Sequence, residues 1–148
     1  MYQPRHFAPW EVLPHIAPDI TWDTLPDSER AKIADSILET GDQVRELLGV
    51  PCRVNDYNHG GTRQFCGVRE PGCQEYSPTS RHAVTQSRPA DALDLHPQGL
   101  DADTARARIR AAVATGQFPL LGGMELGVSW VHVDCRPRVG GKVLEFHV

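Results

Sequence analysis

Residues 80–96 read SRHAVTQSRPADALDLH, and we expect the rest of the fold to be arranged around this stretch. It places His82 before a loop and Asp94 within an apolar run. Residues 130–134 read WVHVD, and because side chains alternate along a strand, Trp130, His132 and Asp134 share one face. Two histidines and an aspartate are a complete set of protein ligands for a catalytic zinc, which keeps its fourth position open for water. The two segments together predict a Zn²⁺ site.

The composition is typical of a globular protein. The 148 residues fit one domain, 1–148, with 23% charged and 40% hydrophobic residues. The net charge of −4 gives no electrostatic footprint for nucleic acid, and no apolar run is long enough for a transmembrane helix. The N-terminal residues lack the basic and then apolar pattern of a signal peptide. We therefore expect a domain with no nucleic-acid partner and no membrane span. We further expect a monomer.

Helical and strand patterns alternate along the chain. An irregular arm over 1–23 precedes a helix over 25–48, in which Gly41 is a candidate bend and Gly49 the stop. A second helix is predicted over 101–115, and the segment 58–79 is irregular. Short strands are predicted over 51–57, 90–95, 118–121, 129–135 and 142–148, with turns at 122–123 and 140–141. This order predicts an α+β fold, a small mostly antiparallel sheet with flanking helices.

The four cysteines do not settle the redox compartment. Cys52, Cys66, Cys73 and Cys135 lack the close pairs of a structural zinc site. Cys66 and Cys73 bracket a turn-rich loop, so a disulfide between them and two free thiols are both open interpretations.

The motifs resemble those of a known family. Ser80-Arg81-His82, then Ala92-Leu93-Asp94, then WVHVD are similar to the signature SxHxxGxAxD and the later WxHxD-like segment of the M15 zinc peptidases. These are D-alanyl-D-alanine carboxypeptidases and phage endolysins, whose small α+β fold is shared with the hedgehog signalling domain. The resemblance covers roughly residues 51–137. It implies that His82, Asp94 and His132 bind Zn²⁺.

The spacing departs from the family pattern at the aspartate. The family places its aspartate seven positions after the histidine, whereas Asp94 follows His82 by twelve and Asp91 by nine. Asp94 is preferred because Leu93 and Leu95 flank it, so that the aspartate faces the metal while its neighbours face the core. Asp91 remains the rival ligand.

Other site residues are less well marked. The family arginine upstream of SxH resembles Arg63, which would bind the carboxylate of a peptide through its planar fork, although Arg63, Arg69 and Arg81 also suit a solvated loop. Gln64 is a weaker candidate for polarising a substrate carbonyl.

The general base of the predicted site has two candidates. Family carboxypeptidases often carry an acidic residue three positions before the last histidine, and here that position is Ser129. Asp134 is the preferred base, or else it orients a ligand histidine; Glu125 is the alternative base if its loop folds over the site.

The resemblance implies a zinc metallopeptidase that hydrolyses an amide bond in the stem peptide of bacterial peptidoglycan, as a carboxypeptidase or an endolysin. The missing signal peptide would suit a phage-encoded enzyme acting at the host cell wall. Ser129 favours a different interpretation, a non-catalytic metal-stabilised binding or virion structural module on the same fold. A third interpretation is a small cysteine-stapled domain without a metal.

Overall fold

Five short strands and four helices build the fold, which a computed structural model describes over residues 1–148. The strands form one sheet in the order β1-β2-β4-β3-β5. The elements in chain order are α1 Pro9–Val12, α2 Asp27–Arg30, α3 Asp35–Leu48, β1 Cys52–Arg53, a 3-10 turn Tyr57–His59, β2 Ala92–Pro97, α4 Ala102–Ala114, β3 Gly123–Glu125, β4 Val131–Asp134 and β5 Leu144–Phe146. None of the helices has the length and apolar character needed to span a bilayer.

The sheet is antiparallel except at one edge. β1 pairs with β2, β2 with β4 and β3 with β4 in antiparallel register, whereas β3 and β5 are parallel. The register sets Asp94 of β2 directly opposite His132 of β4, and Ala92 opposite Asp134. Directly opposed residues project from the same face of a sheet, so this pairing brings two of the predicted metal ligands together. The predicted fold class, α+β with a mostly antiparallel sheet, is confirmed.

The predicted helix over 25–48 is interrupted. The chain leaves helical geometry between α2 and α3 because Ile33 forms a β-bridge with Ala90, and the amide of Ala34 donates to the Ala90 carbonyl at 2.9 Å. These tertiary hydrogen bonds replace the helical ones, a competition that local propensity does not reveal. Gly49 ends α3 in a left-handed conformation, with φ of 68°, as predicted.

Gly41 lies within the unbroken α3, and its role is close packing rather than a bend. A Cβ atom at Gly41 would lie 2.9 Å from Leu93 Cδ1 and 3.2 Å from Phe7 Cε2. The helix therefore approaches the sheet and the N-terminal arm more closely than an alanine would allow.

The last third of the chain differs from the prediction at one strand. Residues 118–121 are not a strand, and β3 begins at Gly123, where a turn was predicted. A Cβ at Gly122 would lie 1.7 Å from the Arg136 carbonyl oxygen. Glycine is thus needed here because the backbone packs closely against the segment after β4. A Gly-Gly pair is usually taken as the sign of a turn, so the sequence did not reveal this role.

The four cysteines form no disulfide. The Cys66–Cys73 pair left open by the sequence is therefore two free thiols. Burial raises the pKa of the Cys66 thiol to about 12, so this thiol carries its proton at neutral pH.

The N-terminal arm is an integral part of the core. Phe7, Val12 and Leu13 belong to the main cluster of 24 buried apolar residues. The fully buried carboxylate of Asp42 on α3 holds the arm by accepting hydrogen bonds from the Tyr2 hydroxyl at 2.7 Å and from the backbone amides of Arg5 and His6. Asp42 thus binds three donors of the arm, and Glu46 of the same helix adds an ion pair with Arg5.

Replacing Asp42 with alanine is expected to destabilise the protein by about 3 kcal/mol, because hydrogen bonds to a charged group contribute about 1.5–3 kcal/mol and their donors would be left unpaired. The free energy of unfolding in urea, measured by circular dichroism, tests this expectation. Asp19→Ala, at an exposed position, is the matched control and should change stability by less than about 0.5 kcal/mol. Equal stabilities of the two variants would contradict the prediction.

Candidate metal centre

Three buried side chains converge on one point beside the sheet. His132 Nδ1 lies 2.8 Å from Asp94 Oδ1, and His82 Nε2 lies 3.2 Å from both of these atoms. Two imidazole nitrogens and one carboxylate oxygen therefore lie close enough to bind a single metal ion. These are the three residues that the sequence nominated.

Each ligand is positioned by backbone hydrogen bonding. Asp94 and His132 lie opposite each other on β2 and β4. His82 lies outside the sheet, in a loop that pairs with the residues around Arg69: the Arg69 amide donates to the His82 carbonyl at 2.8 Å, and the Val84 amide donates to the Arg69 carbonyl at 2.9 Å. An isolated β-bridge between Arg69 and Ala83 thus fixes the loop that carries His82.

The second nitrogen of each histidine is also held. His82 Nδ1 lies 2.7 Å from the Gly67 carbonyl oxygen, which only accepts, so Nδ1 carries the hydrogen and Nε2 presents its lone pair to the cluster. His132 Nε2 lies 3.1 Å from Asp134 Oδ2, so Nε2 donates to the carboxylate and Nδ1 presents its lone pair. Metal-binding histidines commonly donate their other N–H to a carbonyl or a carboxylate. Both rings have the orientation that metal binding requires.

The electrostatics favour a positive charge between these groups. Burial alone raises the pKa of Asp94, but the charges and hydrogen bonds of His82 and His132 outweigh it and hold this pKa below its ordinary value. Burial alone lowers the pKa of His132, but Asp134 and Asp94 outweigh it and raise the pKa to about 9. When both imidazoles are neutral, His82 Nε2, His132 Nδ1 and Asp94 Oδ1 are three acceptors that face one another. A cation or a proton between them removes this repulsion. Two nitrogens and one oxygen are a ligand set that suits Zn²⁺.

Asp91, the rival ligand, is engaged elsewhere. Its carboxylate forms an ion pair with Arg81 and lies 3.8 Å from Arg88. Burial raises the pKa of Asp91, although the hydrogen bond and charge of Arg81 oppose this. Asp94, and not Asp91, therefore belongs to the cluster that could hold a metal ion, in agreement with the sequence preference.

Asp134 has no carboxylate oxygen free of a protein donor. Besides His132, it accepts hydrogen bonds from Arg136 Nε at 2.7 Å, Arg136 Nη2 at 2.5 Å and the Arg136 amide at 3.1 Å. It is fully buried, and the hydrogen bonds of His132 and Arg136 overcome the effect of burial and lower its pKa. Of the two roles that the sequence left open, the geometry supports the orientation of His132 over proton transfer.

A cavity of about 470 Å³ opens beside the cluster. His82, Asp94 and His132 line it together with Glu125, which comes from the end of β3. The Glu125 carboxylate is not paired with an arginine, in contrast to that of Asp134. Ser129, at the position where the family often carries its base, is exposed and does not line the cavity. Glu125 is therefore the acidic residue of the cavity whose carboxylate has no protein partner, as a general base requires.

The arginine of the cavity differs from the one that the sequence suggested. Arg63 donates to Asp56 at 3.2 Å and does not line the cavity, and Gln64 is hydrogen-bonded to His15. Arg69 does line it, with Nη2 3.4 Å from Asp94 Oδ2. The substrate-binding role of Arg63 stays a prediction, and Arg69 is the arginine that the fold brings to the cluster.

Two further residues of the cavity were not singled out from the sequence. Arg136 and Phe146 line it, and the Arg136 guanidinium carbon lies 4.5 Å from the centre of the Phe146 ring. The Phe146 ring meets that of His132 edge-on at a centroid distance of 5.8 Å. Arg136 continues the period-two alternation of His132 and Asp134, which is the sequence signal that would have found it.

No family model, curated protein or solved structure matches this chain. The resemblance to the M15 peptidases is therefore carried by the short motifs and by the ligand cluster. The protein has an α+β fold with a five-stranded sheet and a His–Asp–His cluster that could hold a metal ion.

Proposed function

We propose that this protein is a zinc-dependent peptidase that hydrolyses an amide bond in the stem peptide of bacterial peptidoglycan. The observation that carries the proposal is the convergence of His82 Nε2, Asp94 Oδ1 and His132 Nδ1 at the wall of an open cavity. Three protein ligands and an accessible fourth position are typical of catalytic zinc, whereas structural zinc sites are closed by four. The substrate class and an action at the host cell wall come from the motif resemblance.

A zinc ion held by these three residues would supply Lewis acidity, lowering the pKa of water towards about 7 and polarising the substrate carbonyl. The protein supplies the remaining functions. Asp134 keeps the Nε2 proton of His132 in place, so that Nδ1 stays available as a ligand. Glu125 accepts a proton from the attacking water and passes it to the leaving amine.

We assign the binding of an anionic substrate group near the metal to Arg69. Its Nε donates to the Phe65 carbonyl at 2.9 Å and its Nη2 lies 3.4 Å from Asp94, so the guanidinium is fixed in position. A fixed planar guanidinium binds a carboxylate through parallel charge-assisted hydrogen bonds. Arg63 is less suited to this role because it is bound to Asp56 outside the cavity.

Ser129 supports a second candidate, a metal-stabilised binding or virion structural module without catalysis. In this case the cluster would stabilise the junction of β2, β4 and the loop before His82, and Glu125 would have no proton to transfer. The two candidates share the metal and differ in hydrolysis alone.

Zinc content and peptidoglycan hydrolysis together test the proposal. We expect about one zinc per chain, and zinc-dependent release of new amino or carboxyl termini from purified peptidoglycan. Asp94→Ala should lose both, whereas Asp91→Ala, once shown to be folded by circular dichroism, should keep both. Absence of zinc after incubation with the metal would remove the proposal, and bound zinc without hydrolysis would favour the structural module.

A further inference from the structure

Two arginines of the cavity share an unusual arrangement. Arg69 and Arg136 each bind a buried carboxylate of the metal centre on one side and line the cavity on the other. We propose that they form two separate anion-binding positions, so that the substrate carries two carboxylates, one near the metal and a second bound by Arg136. This inference rests on the proposed function and deepens it, since it names the charge pattern of the substrate.

Arg136 is held rigidly in the cavity wall. Its Nε and Nη2 form a bidentate pair with Asp134, and its guanidinium lies over the Phe146 ring. The side chain is 26% exposed, and Nη1 has no hydrogen-bond partner in the protein. A guanidinium immobilised in this way loses little further conformational entropy when an anion binds to its free side.

The two arginines lie on different sides of His132. Asp94, which contacts Arg69, lies at Nδ1 of the imidazole, whereas Asp134, which contacts Arg136, lies at Nε2. The two guanidinium groups therefore flank the ring and do not share one acceptor. An anion bound to Arg136 therefore lies on the other side of the His132 ring from the atoms that meet at Nδ1.

The cavity also holds a donor without a partner. The indole Nε1 of Trp130 is buried and forms no hydrogen bond, although Trp130 lines the same cavity. A buried unpaired N–H costs free energy and requires a partner from a ligand or a water molecule. Nη1 of Arg69 and Nη1 of Arg136 are further donors without a protein partner, and the carboxylate of Glu125 is an unpaired acceptor of the same cavity. The two guanidinium groups are therefore the positions of this wall at which an anionic group can bind.

Arg136 also positions Asp134, so a simple loss of activity would not distinguish its two roles. A purely positioning role would weaken neutral and acidic ligands by the same factor. A role in recognition would weaken only the ligand that carries the second carboxylate. A pair of ligands that differ in that one group therefore separates the roles.

Isothermal titration calorimetry of the zinc-incubated protein with two dipeptides makes this comparison. Acetyl-Glu-Ala carries two carboxylates, whereas acetyl-Gln-Ala has the same shape and carries one. We expect the first to bind the wild type about ten-fold more tightly, because charge-assisted hydrogen bonds are stronger than neutral ones. Arg136→Gln should abolish the difference, and Arg108→Gln, at an exposed position on α4, should preserve it.

Equal affinities of the two dipeptides for the wild type would overturn the inference, and so would undetectable binding of both or a difference that survives in Arg136→Gln. The proposed function is judged separately by zinc content and hydrolysis. A protein that binds zinc and cleaves peptidoglycan but does not discriminate between the dipeptides would keep its function and lose the second anion position.

Discussion

His132→Ala is expected to abolish zinc binding and, with it, all amide hydrolysis. The substitution removes one of three ligands and leaves the carboxylates of Asp94 and Asp134 without their shared partner. Elemental analysis should fall from about one zinc per chain to none. Added zinc at 100 times its dissociation constant should stabilise the wild type by about 2.7 kcal/mol and leave the variant unchanged.

His15→Ala is the matched control for this variant. His15 is exposed and its Nδ1 bonds to Gln64, away from the cluster. Zinc content and activity should match the wild type. If the His132→Ala protein retained one zinc per chain, another set of ligands would have to hold the metal.

Glu125→Gln is expected to lower kcat by about 10²- to 10⁴-fold, the range typical of a lost general base, while zinc content and affinity stay unchanged. The glutamine keeps the size of the side chain but accepts no proton at neutral pH. Single-turnover kinetics on a peptidoglycan peptide would measure the loss, and a zinc competition titration would show that the site is intact.

Asp134→Asn provides the comparison that separates a base from an orienting residue. Asp134 supports His132, so this variant should lose about 10- to 100-fold in zinc affinity. If Asp134→Asn instead kept its zinc affinity and lost the same large factor in kcat, Asp134 would be the base and Glu125 would not.

Strand periodicity was sufficient to nominate the two ligands that come from the sheet. WVHVD alternates so that His132 and Asp134 share a face, and the leucines beside Asp94 set that residue on the corresponding face of β2. Alternation is a property of the backbone itself, and it holds wherever the strand is placed. For this reason the choice of Asp94 over Asp91 agrees with the structure.

Periodicity gives no information in the irregular segment over 58–79. Arg63 and Arg69 are six residues apart in this segment, and local composition suits both to a solvated loop. Arg69 reaches the cavity because its backbone pairs with that of His82, a contact between residues thirteen positions apart. The same segment supplies the Gly67 carbonyl that fixes the tautomer of His82.

The sequence by itself determined the α+β class and the identity of the three side chains that form the His–Asp–His cluster, because residue type and short-range alternation are local properties. Only the tertiary structure decided which hydrogen-bond partners each of these side chains has and which way it points. In the fold, Asp134 accepts hydrogen bonds from Arg136, Glu125 lines the cavity, and one ring nitrogen of each histidine faces the same point. A buried carboxylate binds whichever donors surround it, and these come from segments distant in sequence, so only the folded chain shows which carboxylate is free to accept a proton.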